Sequence, residues 1–249
     1  MIIDIHAHVW GQTQERIELS KQQLLKSAAS FGVDRIYISG LCSFFSDEAE
    51  IDYLNTEVAK FMAEEPALIG GAVYLNPKNK NVMDVLKRAT QEQGFEMIKL
   101  WCCTHADDPS VDPIMEYAEE NGIPVLFHVF KKSTKQVPNE TTGIHMANLA
   151  RRHPKTKILM AHLGGSSYDG IPTIRDLKNV WCDQSGSIYH GDDMNYALEY
   201  LGTERILFGT DNVYLQNIGQ VLGADLTDEQ RDMIFYKNAQ KLLDRSFRL

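Results

Sequence analysis

The sequence predicts an α/β protein, a single (β/α)8 barrel of the TIM type over residues 1–249, and two observations support this. Eight short apolar runs rich in β-branched residues recur along the whole chain, and segments with helical periodicity lie between them. Strands that alternate with helices form parallel sheets, and eight such units in 249 residues match the size of one barrel. A doubly wound sheet usually carries a Gly-rich turn after its first strand, and this sequence has none there.

The predicted strands are spaced along the chain without a linker or a change in composition between them, which indicates one domain. They read IIDIHAH from Ile2, VDRIYISG from Val33, ALIGGAVYL from Ala67, FEMIKLW from Phe95, PVLFHVF from Pro124, KILMAHLGG from Lys157, NVWCDQSG from Asn179 and RILFGTD from Arg205.

Three of the intervening segments show clear helical signals. Apolar periodicity predicts a helix over Leu19–Phe31, with Ser20 as its candidate cap, and another over Pro113–Asn121, which ends before Gly122. The last helical stretch runs from Asp228 to Leu243. It follows Thr227, which has Gln230 three residues later, as in a capping box.

Composition and charge disfavour several classes of function. A net charge of -9 and a pI near 5.4 disfavour binding to the phosphate backbone of nucleic acid. No apolar run is long enough to span a bilayer, the start lacks the pattern of a signal peptide, and the four cysteines show no disulfide framework. We therefore expect a cytoplasmic protein with no nucleic-acid or membrane partner.

Histidines and one aspartate close several of the predicted strands. Because all strands of a barrel end at one face, these side chains should meet in space. Three imidazoles and a carboxylate suit one divalent cation, Zn²⁺ first and Mn²⁺ as the alternative, with a position left for water. The residues are His6 and His8 on the first strand, His128 on the fifth, His162 on the sixth and Asp211 after the eighth.

This pattern of strand-end residues resembles the amidohydrolase superfamily. The phrases GIPVLFH, ILMAHLGG, LGTERILFGTD and YKNAQKLL are similar to its amidohydrolase-related branch, which contains the aminocarboxymuconate-semialdehyde and resorcylate decarboxylases and their hydrolase relatives. The resemblance covers residues 2–243 and implies a distorted, metallo-dependent hydrolase-like barrel.

The resemblance also implies roles for individual residues. His6, His8, His128 and Asp211 would hold one ion, and Asp211 could take a proton from the water bound to it. His162 would face the substrate or the reactive water, or bind a second ion in binuclear members. A second ion is expected only if Lys99, on the fourth strand, is carboxylated. Otherwise Lys99 has a pocket or structural role, or it is a plain lysine that points outward from the barrel.

Three further assignments stay open. Asp4 would support His6 and His8 from the same face of the first strand, one layer below them. His190, after the seventh strand, either contacts the substrate or is a solvated loop residue. Cys102, Cys103 and His105 follow the fourth strand, where many relatives have His-Pro, and a Cys-His nucleophile there is a weaker alternative.

The predicted function is hydrolysis of a small carboxylated or cyclic ester or amide by metal-activated water. The alternative is nonoxidative decarboxylation of an aromatic or muconate-type acid in the same site. The short connection after His8 favours hydrolysis, because resorcylate-type decarboxylases carry long insertions there. A TatD-type DNase and a catalytically silent binding barrel are weaker alternatives. Dimers are frequent in the family, so a homodimer is possible.

Overall fold

The computed structural model describes residues 1–186 and 191–249. Eight parallel strands form one sheet in the order of the sequence, which confirms the predicted barrel topology. Their bounds are β1 Ile3–Trp10, β2 Arg35–Leu41, β3 Ile69–Leu75, β4 Met97–Leu100, β5 Val125–Phe127, β6 Ile158–Met160, β7 Val180–Asp183 and β8 Ile206–Leu207.

Helices connect the strands and cover the outside of the sheet. They are α1 Gln14–Phe31, α2 Glu48–Glu64, α3 Val82–Gln91, α4 Asp112–Asn121, α5 Gly143–Arg152, α6 Ser167–Ile174, α7 Gly191–Leu201, α8 Tyr214–Gly223, α9 Asp228–Asp232 and α10 Asn238–Leu243. One π-helical turn, Met233–Lys237, joins α9 to α10.

The sheet curls until its first and last strands meet. Ile5 N donates to Phe208 O over 3.0 Å, and the amides of Thr210 and Asp211 both donate to His6 O, over 3.2 and 2.7 Å. These bonds place the segment after β8 beside β1. Two parts of the chain about 200 residues apart therefore meet at the carboxyl end of the barrel.

Apolar side chains pack on both sides of the strands. The interior cluster contains Ile3, Ile5, Met97 and Leu159, with Ala239 and Leu242 of α10 packed into it. A second, larger cluster, which includes Val73, Ile98 and Val125, packs outward against the helices.

The alternation along β1 is interrupted, because its pairing with β2 shifts register between Asp4 and Ala7. Ile3 and Ile5 belong to the interior cluster, whereas Ala7 and Val9 belong to the outer one. Strict alternation put Asp4 on the face of His6 and His8, and that expectation is wrong, because the shift reverses the phase of the strand between them.

Two helix ends match the sequence signals and one does not. Gly122 ends α4 in the left-handed conformation, and Thr227 and Gln230 form the predicted capping box. However, α1 begins at Gln14 behind a Thr13 cap, five residues before the predicted start. Ser20 instead lies within the helix and accepts a hydrogen bond from Trp10 N over 3.1 Å. The first turn of α1 is polar, so apolar periodicity did not indicate where the helix begins.

Among the residues that the structure describes, no helix is both long enough and apolar enough to cross a membrane.

Candidate metal centre and active site

His6 lies at the centre of a buried polar cluster at the carboxyl end of the barrel. Its Nδ1 is 3.0 Å from Oδ2 of Asp183, the last residue of β7, and 3.0 Å from the hydroxyl of Ser185. A carboxylate only accepts hydrogen bonds, so Nδ1 carries the proton and Nε2 presents its lone pair. Burial lowers the pKa of His6 well below its ordinary value, which keeps the ring neutral.

His8 and Asp211 meet His6 at this lone pair. Nε2 of His8 is 3.0 Å from Nε2 of His6 and 3.1 Å from Oδ1 of Asp211. Nδ1 of His8 is 2.8 Å from the Ser39 hydroxyl, which can donate or accept. When Ser39 donates, His8 Nε2 carries the proton and donates to Asp211; when Ser39 accepts, Nε2 instead presents a lone pair that faces His6. Two imidazoles and a carboxylate then offer three acceptor atoms to one point, and this donor set fits a divalent cation.

The backbone around Asp211 adopts a strained conformation, and hydrogen bonds to β1 hold it in place. Asp211 and Asn212 have φ of 47° and 66°, a left-handed region that residues other than glycine seldom adopt. The side chain of Asn212 pairs with the backbone of His8, accepting from its N over 2.9 Å and donating to its O over 2.8 Å. This pairing aims Asp211 at the two histidines of β1.

Two opposing effects act on the Asp211 carboxylate. Burial works to raise its pKa, but the hydrogen bond from His8 and the neighbouring imidazoles outweigh burial and hold it well below its usual range. Asp211 is therefore ionised, as a ligand or a proton acceptor must be.

Lys99 is buried beneath these groups. Its Nζ is 2.9 Å from His6 Nε2, and burial lowers its pKa to about 8. The lysine thus points to the same lone pair that a cation would use. It lies inside the barrel rather than on its outer face, which disfavours the plain outward lysine.

His162 and His128 form a second pair of imidazoles. Nδ1 of His162 faces the carbonyl of Ser185 at 3.2 Å, and Nε2 of His128 faces Oε1 of Glu140 at 3.0 Å. Both partners are acceptors, so these nitrogens carry the protons. The remaining nitrogens, His128 Nδ1 and His162 Nε2, are 3.1 Å apart and both present lone pairs. His162 has a φ of 60°, so its backbone is strained like that of Asp211.

Glu140, on the connection between β5 and α5, is a buried carboxylate that the sequence did not single out. It accepts hydrogen bonds from His128, from Lys132 Nζ over 2.9 and 2.8 Å, and from Val137 N over 3.2 Å. Burial works to raise its pKa, but the bonds from His128 and Lys132 lower it to about 2. A charged group therefore stands next to His128.

A cavity of about 280 Å³ opens above the cluster. His162, Asp211 and His128 line it together with Lys132 and Glu140. Three aromatic side chains complete the wall: Phe44 lies 4.7 Å from Trp101 between ring centroids, and Phe130 lies 5.7 Å from His162. The aromatic wall suits a flat, partly apolar molecule, and the polar floor suits an anionic end.

The structure thus brings most of the predicted site residues together. His6, His8 and Asp211 form one possible ligand group, whereas His128 forms another with Cys102 and Glu140. Asp4 lies below, where its carboxylate accepts from His6 N over 3.1 Å and from the Thr210 hydroxyl over 2.6 Å. The predicted substrate contact His190 lies outside the described residues.

The cysteines after β4 are poorly suited to nucleophilic attack. Burial raises the pKa of the Cys102 thiol to about 12 and raises that of Cys103 as well. Since the thiolate is the nucleophile, neither residue is activated, and the Cys-His alternative loses its basis.

The signals for the missed residues differ. Asp183 ends its strand like the predicted ligands, so the rule that found Asp211 would also have found it. Glu140 lies on an irregular connection, where no periodicity marks it.

A parallel barrel with ionisable side chains at the carboxyl ends of its strands defines a class of barrel enzymes. Residues 3–245 match the sequence profile of a family described as Amidohydrolase. The chain belongs to the amidohydrolase family, an enzyme family whose metal-dependent members include decarboxylases, and this confirms the resemblance of the strand-end pattern.

A curated relative is the 2-amino-3-carboxymuconate-6-semialdehyde decarboxylase of Dictyostelium discoideum. It is 22% identical over an alignment of 222 residues, and the match covers 72% of this chain and 60% of the relative. The chain therefore spans less than two thirds of that protein's length.

Solved structures share the fold. A 2,6-dihydroxybenzoate decarboxylase from Rhizobium superimposes with a TM-score of 0.77 at 16% identity over 99% of both chains. A dihydroxybenzoic acid decarboxylase from Polaromonas sp. JS666, solved with manganese and 2-nitroresorcinol, gives 0.76 at 15% identity over 99% of this chain and 97% of the other. Its manganese shows that a protein of this fold can hold a divalent ion.

Proposed function

We propose that the protein is a metal-dependent, nonoxidative decarboxylase of a small aromatic or muconate-type acid. The observation that carries the proposal is the cavity with an aromatic wall and a floor of His162 and Asp211, directly above the ligand group. The names of the relatives support decarboxylation over the hydrolysis that the short loop after His8 favoured.

The ligands in this proposal are His6, His8 and Asp211, with His128 as the fourth. Their ion, Mn²⁺ or Zn²⁺, would supply positive charge that orients the substrate carboxylate and stabilises negative charge developing on the substrate. Phe44, Trp101 and Phe130 hold the flat body of the substrate and exclude water from it.

In this proposal His162 is the residue that carries the proton for the substrate. Its Nδ1 is held by Ser185, so its Nε2 is the atom that can take up a proton and pass it to the substrate carbon. When that carbon is protonated, the bond to the carboxylate breaks, its electron pair stays with the product and CO₂ leaves. Asp211, already ionised, acts as ligand and proton acceptor rather than as the acid.

Hydrolysis of a carboxylated lactone or amide is the second candidate. Two observations favour it: only residues 11–13 separate β1 from α1, and the ionised Asp211 is a competent base beside the ion.

The test uses protein loaded with Mn²⁺ and two panels of compounds, carboxylated aromatics and muconates in one, and lactones and amides in the other. We expect CO₂ release from the first panel, with one solvent deuteron in the product when the reaction runs in D₂O. Loss of general acid catalysis in His162→Asn should lower kcat by about 10²-fold or more. The matched control is His105→Asn, because His105 lies outside the cavity.

Hydrolysis of the second panel without CO₂ release from the first would overturn the decarboxylase proposal in favour of the second candidate. An equal loss of activity in His105→Asn would remove the role of His162.

A further inference from the structure

His128 has a second set of possible partners, separate from the ligand group of His6. The Sγ of Cys102, a ring nitrogen of His128 and a carboxylate oxygen of Glu140 all lie within 4.8 Å of one another. Cys102 and Glu140 are buried, at 0% and 2% exposure. Sulfur, imidazole nitrogen and carboxylate oxygen together are a ligand set that Zn²⁺ and similar cations bind.

We propose that Cys102, His128 and Glu140 form a second binding site, selective for a thiophilic divalent cation such as Zn²⁺ or Cd²⁺, which withholds His128 from the first site. The thiolate gives this site its selectivity, because Mn²⁺ prefers oxygen and imidazole ligands to sulfur.

Hydrogen bonding around His128 is consistent with a cation there. Without a cation, His128 Nε2 is protonated and donates to Glu140. The Nδ1 of His128 and the Nε2 of His162 then lie 3.1 Å apart, and both carry lone pairs. A cation bound to Nε2 moves the ring proton to Nδ1, where it can donate to His162. A cation at the second site therefore replaces the contact between two lone pairs with a hydrogen bond from His128 to His162.

Binding also requires two local changes. The thiol of Cys102 must lose its proton to solvent, so one proton leaves the protein for each cation bound. Lys132, whose ammonium bonds Glu140, must turn aside. Its side chain is 29% exposed, so the ammonium can reach water.

The consequence for catalysis rests on the proposed function. One histidine cannot serve both sites through the same geometry, so an enzyme active with Mn²⁺ should lose activity when Zn²⁺ or Cd²⁺ is added in excess. The second site would then act as an inhibitory site for thiophilic metals.

The binding test is optical and needs no substrate. All proteins carry Cys42→Ser, because Cys42 is the partly exposed thiol and could bind Cd²⁺ by itself. After treatment with a chelator, Cd²⁺ is titrated and the near-ultraviolet thiolate-to-metal charge-transfer band is recorded. We expect one band-forming equivalent per chain. Cys102→Ser should abolish the band and weaken this binding step by about tenfold or more, since even outer partners of ligands contribute that much.

Cys103→Ser is the matched control, because Cys103 is the adjacent buried thiol and lies outside the group. It should keep the band. Cys102→Ala and the thermal midpoint of each variant separate a lost ligand from a lost fold. A parent protein without the band, or a folded Cys102→Ser or Cys102→Ala variant that keeps it, would overturn the site.

The activity arm adds excess Zn²⁺ to the Mn²⁺-loaded enzyme, where Cys102→Ser should resist inhibition and Cys103→Ser should not. Equal inhibition of the two variants would overturn the inhibitory role. If no compound is decarboxylated, the proposed function fails while the optical arm still decides the second site.

Discussion

At the scale of single residues, the tautomers of the histidines decide what the site can bind. Asp183 fixes the proton of His6 on Nδ1, Ser185 fixes that of His162, and Glu140 fixes that of His128. Each partner is an acceptor facing one ring nitrogen, so the other nitrogen is left as a lone pair. Mutation of such partners of ligating histidines typically lowers metal affinity or activity by about 10- to 100-fold.

Asp183→Asn tests this control of tautomers. An amide N–H placed against His6 Nδ1 would favour the proton on Nε2 and remove the lone pair from the site. We expect the affinity for Mn²⁺ to fall by about 10- to 100-fold. The measurement is a metal titration of chelator-treated protein by calorimetry.

The control for that titration is Asp176→Asn, because Asp176 is 90% exposed and its ion pair is with Arg175, at 3.6 Å, away from the metal centre. Its affinity should equal that of the parent protein. Unchanged affinity in a folded Asp183→Asn variant would show that Asp183 does not set the His6 tautomer.

Sequence reasoning found residues whose position follows from topology. His6 and His8 lie on β1, and His162 and Asp211 shortly follow β6 and β8. Because parallel strands of a barrel all run toward one face, the convergence of these side chains could be predicted without coordinates. Glu140 could not be found in this way, because its place depends on how the connection between β5 and α5 folds back. The predicted orientation of Asp4 was also wrong. The residues of β1 alternate regularly in the sequence, so nothing in them indicates the register shift between Asp4 and Ala7.

At the scale of elements, side chains from helices complete strands where the sheet does not. In the described residues, β2 pairs with β3 only as far as Gly71, so Tyr74 has no backbone partner on that side. Asn55 of α2 fills the gap, accepting from Tyr74 N and donating to Tyr74 O, both over 2.9 Å. Asn238 of α10 likewise supplies a side-chain partner to a strand, because it donates to Ile206 O of β8 over 2.8 Å.

Asn55→Ala should therefore be strongly destabilising. It leaves a buried N–H and a buried C=O of Tyr74 without partners, at a cost of about 1–3 kcal/mol each, so we expect the free energy of unfolding to fall by roughly 2–6 kcal/mol. Urea denaturation followed by circular dichroism measures the change.

Asn148→Ala is the control for that change, because Asn148 is exposed on α5 and its side chain donates to the Asp107 carboxylate rather than to a buried strand. Its effect should stay within about 0.5 kcal/mol. A similar small effect of Asn55→Ala would mean that water replaces the lost amide.

At the scale of the whole molecule, the candidate metal centre lies on the seam that closes the barrel. His6 and His8 belong to β1, Asp211 follows β8, and backbone bonds join the two segments, including Asp211 N to His6 O over 2.7 Å. A cation held by these side chains would link the first strand to the last. Binding it should therefore stabilise the closed barrel as well as prepare it for chemistry.

Addition of Mn²⁺ to chelator-treated protein should accordingly raise the thermal midpoint. A ligand at about 100 times its dissociation constant, bound only to the folded state, stabilises it by about 2.7 kcal/mol. For a domain of roughly this size, 1 kcal/mol corresponds to about 2–4 °C, so we expect a rise of about 5–10 °C. Asp211→Asn should lose most of the rise, whereas Asp225→Asn, at an exposed carboxylate outside the site, should retain it. An equal rise in both variants would place the stabilising ion away from the seam, because only Asp211 is part of it.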